Sequence, residues 1–272
     1  MIEMFSYPFM VRALLVGILI SIPAALVGVS LVLRKNSMIG DGLSHIAFAA
    51  FALAAVLGLT PLWFALPVAI IASFLILKVG KSRKIYGDSL IALFSTSALA
   101  IGVIAISVAG VNIDLNSYLF GSVLAVSATE VAISLIVATI SVVLYLFLHH
   151  RIFAITFDAD FAKAIGIKTS LYDIAFAVIC SLTVVVGMRL LGALLISSLI
   201  IFPTLIAMKL ARSFKWTVII AAIETVVAFV IGLIVSYAFS LPTGATVVIT
   251  HLTILILVSI FLCGRGSNKQ IQ

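Results

Sequence analysis

Asp41 and His45 are the residues of this chain whose types and spacing best suit chemistry. They lie four apart in Met38-Ile39-Gly40-Asp41-Gly42-Leu43-Ser44-His45, so a helix through this segment projects both from one face. A carboxylate oxygen and an imidazole nitrogen so placed are ligands for a first-row divalent ion such as zinc or manganese. Two protein ligands, with water or another residue completing the shell, hold an ion loosely, and a conduction path needs sites that release. The same spacing also fits a structural pair, with Asp41 capping a helix and His45 hydrogen-bonded between helices.

Other ionisable groups in apolar surroundings are few: Arg12, Glu130, Glu224 and His251. Glu130 falls about two turns inside its apolar stretch, and His251 falls in the last such stretch. Each is either a pore-lining group or a polar contact between helices. Glu224 must pair or protonate, and the sequence names no partner for it. His149 and His150 are consecutive and point about 100° apart, so both are expected to reach towards water at an interface. Pro23, Pro67 and Pro203 lie within apolar stretches, where each removes a helix hydrogen bond. Pro203 is the one taken as a candidate pore-lining position. Cys180 and Cys263 are single thiols on different segments and read as small packing residues.

These residues weigh against several classes. No nucleophile with a base, and no His-Glu-x-x-His, is present to make an intramembrane enzyme, so none of them is assigned a catalytic role. Gly80-Lys81-Ser82 resembles the end of a phosphate-binding loop, but Leu75 stands where that loop needs glycine and no strand precedes it. An ion-coupled carrier would need more intramembrane charge than these four residues, so the drive for uphill transport is expected from another subunit, with an ion-coupled secondary transporter as the less favoured alternative.

The elements that must position these residues are apolar helices. Of 272 residues 64% are hydrophobic and 9% charged, and the mean hydropathy is +1.41. A bilayer core about 30 Å thick needs roughly 20 apolar residues at about 1.5 Å each. The stretches Phe9 to Leu33, Leu43 to Leu59, Pro61 to Val79, Ser89 to Val111, Val123 to Leu148, Tyr172 to Gly187, Leu190 to Met208, Trp216 to Phe239 and Ala245 to Leu262 meet that requirement. The expected fold is therefore all-α, one polytopic membrane domain over 1–272 with about nine transmembrane helices. The range is eight to ten, because Leu43 to Val79 and Tyr172 to Met208 are each interrupted by only two residues. With the N-terminus outside and the C-terminus inside, every lysine and arginine except Arg12 and Arg189 falls on the cytoplasmic side. The net charge of +7 is thus a topology signal and not a nucleic-acid footprint. The first apolar run is too long for a cleaved signal peptide and is expected to remain as the first helix. Small residues from Gly42 to Ala55 suit the second span to close packing in lipid.

The longest cytoplasmic loop, His149 to Leu171, holds a short amphipathic segment. Asp158 can cap it, Phe161, Ala164 and Ile165 make an apolar face, and Gly166 can end it. Such a helix either lies on the membrane surface or docks into a groove on a cytoplasmic ATPase.

Five stretches together resemble, over nearly the whole chain, the permease subunits of bacterial ATP-driven transporters for zinc, manganese and iron, the ABC-3 family. They are Val32 to His45 with its two basic residues, Gly-Asp and Ser-His; Tyr118-Leu119-Phe120-Gly121 with Leu124-Ala125-Val126; Phe157-Asp158 to Gly166-Ile167; Leu191 to Pro203; and Leu241 to Ala245. The resemblance implies a bacterial plasma membrane permease that pairs with a second copy or a sister subunit. It also implies two cytoplasmic ATPase subunits that hydrolyse the ATP, and an extracytoplasmic metal-binding protein. It places the family's coupling helix on Asp158 to Ile167 and its proposed ion-contacting residues on Asp41 and His45, favouring the ligand reading of that pair. The segment Gly192 to Leu199 looks closer to zinc permeases than to manganese ones, so zinc is the expected cargo, with manganese or iron as alternatives. No permanently bound cofactor is expected.

Overall fold

The computed structural model describes residues 6–79, 87–110, 121 and 126–264. Gly80-Lys81-Ser82, Tyr118 to Phe120, Leu124 and Ala125 lie outside the described residues. The described part is all-helical: α1 (Pro8–Leu33), α2 (Ile39–Val56), α3 (Pro61–Val79), α4 (Gly87–Ala109), α5 (Ala128–Phe157), α6 (Ala159–Ala164), α7 (Thr169–Leu191), α8 (Ala193–Leu210), α9 (Phe214–Phe239) and α10 (Thr243–Gly264). All but α6 are long and apolar enough to cross a bilayer, which gives nine spans among the described residues.

Both doubtful pairs resolve into separate helices. The α2/α3 break is a turn at Gly58, whose φ of 66° is open to glycine, followed by Pro61 at the start of α3. The α7/α8 break falls at Gly192, with φ 90°, and not at Met188 and Arg189, which remain helical. A glycine ends α7 there because the next residues must reverse direction within the packed bundle.

Two expected boundaries move further. The fifth span starts at Ala128, where Ser127 and Glu130 form a reciprocal cap. It then runs unbroken to Phe157, so His149 to Leu171 is mostly helix and not a loop. Hydropathy alone ends this helix at Leu148; packing continues it, since Ile152 and Ile155 are buried and Phe153 and Phe157 stack against Phe214 of α9.

Helices α1, α2, α7 and α8 form the buried centre, with α3, α4, α5, α9 and α10 around them. Gly28 of α1 sits against the backbone of Ile200 in α8, where an added Cβ would lie 2.2 Å from the carbonyl oxygen. Helix approach this close is the packing mode available where lipid removes the hydrophobic drive between helices. The outer surface is apolar, with Trp63, Val108 and Phe147 exposed, as a lipid-facing surface must be. Pro23 and Pro203 are buried while Pro67 faces outward.

Candidate functional site

Helix α2 begins two residues before Asp41. Met38 occupies the cap position without a side-chain cap bond, so Asp41 is not the cap; it stands in the first helical turn, where the helix dipole favours a carboxylate. One turn on, His45 presents Nε2 3.7 Å from Asp41 Oδ2. That is too long for a strong hydrogen bond. It is shorter than about 4.2 Å, twice a typical metal–ligand bond, so one ion can touch both atoms.

The other carboxylate oxygen is held from α8: Ser197 Oγ lies 3.2 Å from Asp41 Oδ1 and 3.0 Å from the Ala193 carbonyl. Ser44 ties back to the Asp41 carbonyl at 2.7 Å. Asp41 in the first turn of α2 and Ser197 in the second turn of α8 therefore meet. The site thus lies between two helices of the buried centre. It remains partly open, with side-chain exposures of 40% for Asp41 and 22% for His45. His45 Nδ1 is buried with no hydrogen-bond partner. Among the described residues no group of three or more His, Cys, Asp or Glu side chains converges. The chain thus brings together a carboxylate and an imidazole, with a hydroxyl orienting the carboxylate.

The remaining candidates separate in space. Glu130 is at the very start of α5, not two turns in, where it closes the cap with Ser127 and lies 3.4 Å from Arg189. His251 and Glu224 are partners: Nδ1 to Oε1 is 3.1 Å, both are buried, and the Phe202 ring stacks on the imidazole. Glu224 Oε2 and His251 Nε2 have no partner. Phe202 and Ser197 point from different sides of α8, so this pair and the Asp41 pair flank one helix. Pro203, beside Phe202, is buried and leaves the Leu199 carbonyl without its helical donor. His149 is half-buried against Phe214 and does not reach for water; His150 does. Cys180 is fully buried.

At the end of the molecule that carries most of the basic residues, α6 stands out from the bundle. Asp158 caps it, accepting from the backbone N–H groups of Asp160 and Phe161 at 3.0 and 2.8 Å, and Gly166, with φ 84°, follows its end. Ala162 anchors it on Ile155 and Ile167. Phe161, Ala164, Ile165 and Gly166 are all exposed, with Phe161 61% and Ile165 56% accessible.

One buried pair escaped sequence reasoning. Arg34, just past α1, lies 3.4 Å from Asp173 of α7, donates to Thr156 of α5 at 3.0 Å, and stacks on Phe176 at 4.6 Å. Burial pulls the Arg34 pKa below its usual range, and the Asp173 charge opposes that. Partners 139 positions apart leave no local pattern. The available signal was an acidic residue at the margin of an apolar span.

Comparison with known proteins agrees with this architecture. The chain is 32% identical over 248 residues to a "Probable metal transport system membrane protein" of Thermotoga maritima, covering 91% of this chain and 88% of that one. It is 30% identical over 260 residues to the "Manganese import system permease protein ScaB" of Streptococcus gordonii, covering 96% and 93%. Among solved structures, PsaBC from Streptococcus pneumoniae in complex with Fab superposes with a TM-score of 0.85 at 28% identity, covering 97% of this chain and 98% of that one. Nine membrane-length helices among the described residues and membrane-permease relatives make this a multi-pass protein of the bacterial plasma membrane. The profile of the ABC 3 transport family matches residues 6–262, and the chain belongs to that family.

Proposed function

We propose that this chain is the membrane permease of an ATP-driven importer for a divalent transition metal, that the ion is manganese, and that Asp41 and His45 contact it in transit. The observation that carries this reading is the half-open Asp41–His45 pair inside the bundle, with its carboxylate held by Ser197. A site of two ligands per chain leaves positions for water or for the same residues of a second copy, and it binds weakly enough to release.

Manganese replaces the zinc expected from sequence for two reasons. Relatives in Streptococcus gordonii and Listeria monocytogenes are named manganese import or transport proteins. The donor set also admits it, since one carboxylate oxygen beside one imidazole accepts manganese as well as zinc. The segment Gly192 to Leu199, which looked closer to zinc permeases, meets the pair through the Ser197 hydroxyl.

Energy enters from outside the chain. The exposed Phe161 and Ala164 on α6, with Ile165 and Gly166 just past its end, form the contact for a cytoplasmic ATPase, one for each of two permease copies or sister subunits. An extracytoplasmic binding protein delivers the ion to the opposite face. The orientation follows the basic residues, with the N-terminus outside and the C-terminus inside. Glu130, Pro203 and His251 flank the route without touching the ion.

Cells lacking the protein are the test, with radiolabelled manganese and zinc supplied in turn. Loss of manganese uptake with zinc uptake intact is expected. The reverse pattern overturns the choice of ion, and retention of both overturns the function.

A further inference from the structure

Arg34 occupies a crossing point between the two regions to which function has been assigned. On one side it grips both legs of α6: Thr156 is two residues before Asp158, which ends α5 and caps α6, and Asp173 is in the second turn of α7, just beyond α6. Phe176, under the guanidinium, is on α7 as well. On the other side Arg34 leads directly to Asp41 through a turn without slack. Lys35 takes the left-handed conformation with φ 59°, Asn36 N–H bonds the Leu31 carbonyl at 2.9 Å, Ile39 N–H bonds Asn36 at 3.1 Å, and Gly42 N–H bonds Met38 at 2.9 Å. Ile39 and Gly40 are buried, the latter against Ile200 of α8.

We propose that Arg34 is a positioning residue that transmits displacement of α6 to the Asp41–His45 pair, so that it couples ATP hydrolysis in the partner subunit to movement of the ion. The inference rests on the function proposed above. The planar guanidinium suits this role because one face lies on an aromatic ring while separate N–H groups hold a hydroxyl and a carboxylate, three points that fix its orientation. The Thr156 hydroxyl is committed in the complementary sense, donating to the Ile152 carbonyl at 2.6 Å and accepting from Arg34. Movement of the α5–α6 junction relative to α7 therefore changes Arg34, and the turn behind it carries the change to the first turn of α2. A lysine keeps the charge but has no fork with which to hold both legs.

The test compares R34K and T156V with wild type in the native host, each complex purified with the ATPase subunit that accompanies it. T156V keeps the ion pair and the packing volume, and so serves if R34K folds poorly. Three quantities are read: co-purification of the ATPase, ATP hydrolysis by the complex in lipid nanodiscs, and cellular uptake of radiolabelled manganese. Both variants are expected to keep co-purification and hydrolysis within about twofold while uptake falls about fivefold, the mid-range of coupling changes. Uptake within about twofold of wild type in both variants overturns the proposal. So does a parallel fall of assembly, hydrolysis and uptake in T156V, which is the signature of a purely structural staple. Failure of the underlying function looks different: wild type itself then shows no accompanying ATPase and no manganese uptake.

Discussion

At the residue scale, Asp41 and His45 were legible because a carboxylate and an imidazole four apart fall on one helix face wherever that helix sits. Ser197 was not, because its hydroxyl comes from a helix 156 positions away. It now supports a graded prediction. Replacing Ser197 by Ala should lower manganese uptake about tenfold, the lower end for losing a ligand's hydrogen-bond partner, and D41A or H45A at least as much. Assembly, followed by size-exclusion chromatography, should stay intact; full uptake in D41A and H45A would remove both residues from the ion's path.

Glu224 and His251 were visible singly but not as a pair, since nothing in sequence links positions 27 apart on successive helices. Leaving a buried polar group without its hydrogen-bond partner costs about 1–3 kcal/mol, so E224A should lower the unfolding midpoint in detergent. The apolar double replacement E224L/H251F should cost less than E224A, because no lone polar group is left in the core. Equal losses for the two would mean that the pair is not a unit.

At the scale of elements, apolar runs of membrane length located the nine spans found among the described residues, since lipid demands them whatever the tertiary fold. Their ends were less legible because caps and packing set them. Gly192 ends α7 through a backbone conformation open to glycine, while hydropathy pointed to the charge at Arg189. Likewise α5 extends to Phe157 because Phe153 and Phe157 find Phe214, a contact formed only in the folded bundle.

The cap and stop of α6 were readable in Asp158 and Gly166, as was its apolar face, now seen to be uncovered. Two changes separate its structural and docking roles. D158A loses two cap hydrogen bonds and should cost about 1 kcal/mol of stability. F161S alters an exposed ring, so it should leave the unfolding midpoint unchanged while reducing both ATPase co-purification and transport. Undiminished co-purification by F161S would place the ATPase contact elsewhere.

At the scale of the whole molecule, the distribution of lysine and arginine predicts orientation. A cysteine introduced by K163C on exposed α6 should react with a membrane-impermeant thiol reagent only after the membrane is opened. Labelling of intact cells would invert the topology. The same view explains what the chain lacks. Among its described residues no group of three or more metal-ligating side chains converges, so on the proposed function the ion's shell is completed from outside the chain. Pairing with a second copy would complete the shell and give each ATPase subunit its own α6.

Transport by the reconstituted permease tests the account most directly. In proteoliposomes supplied with the delivery protein and ATP, manganese should accumulate against its gradient when the ATPase subunit is present and stop when it is omitted. Accumulation of manganese by the permease alone, without that subunit, would contradict it.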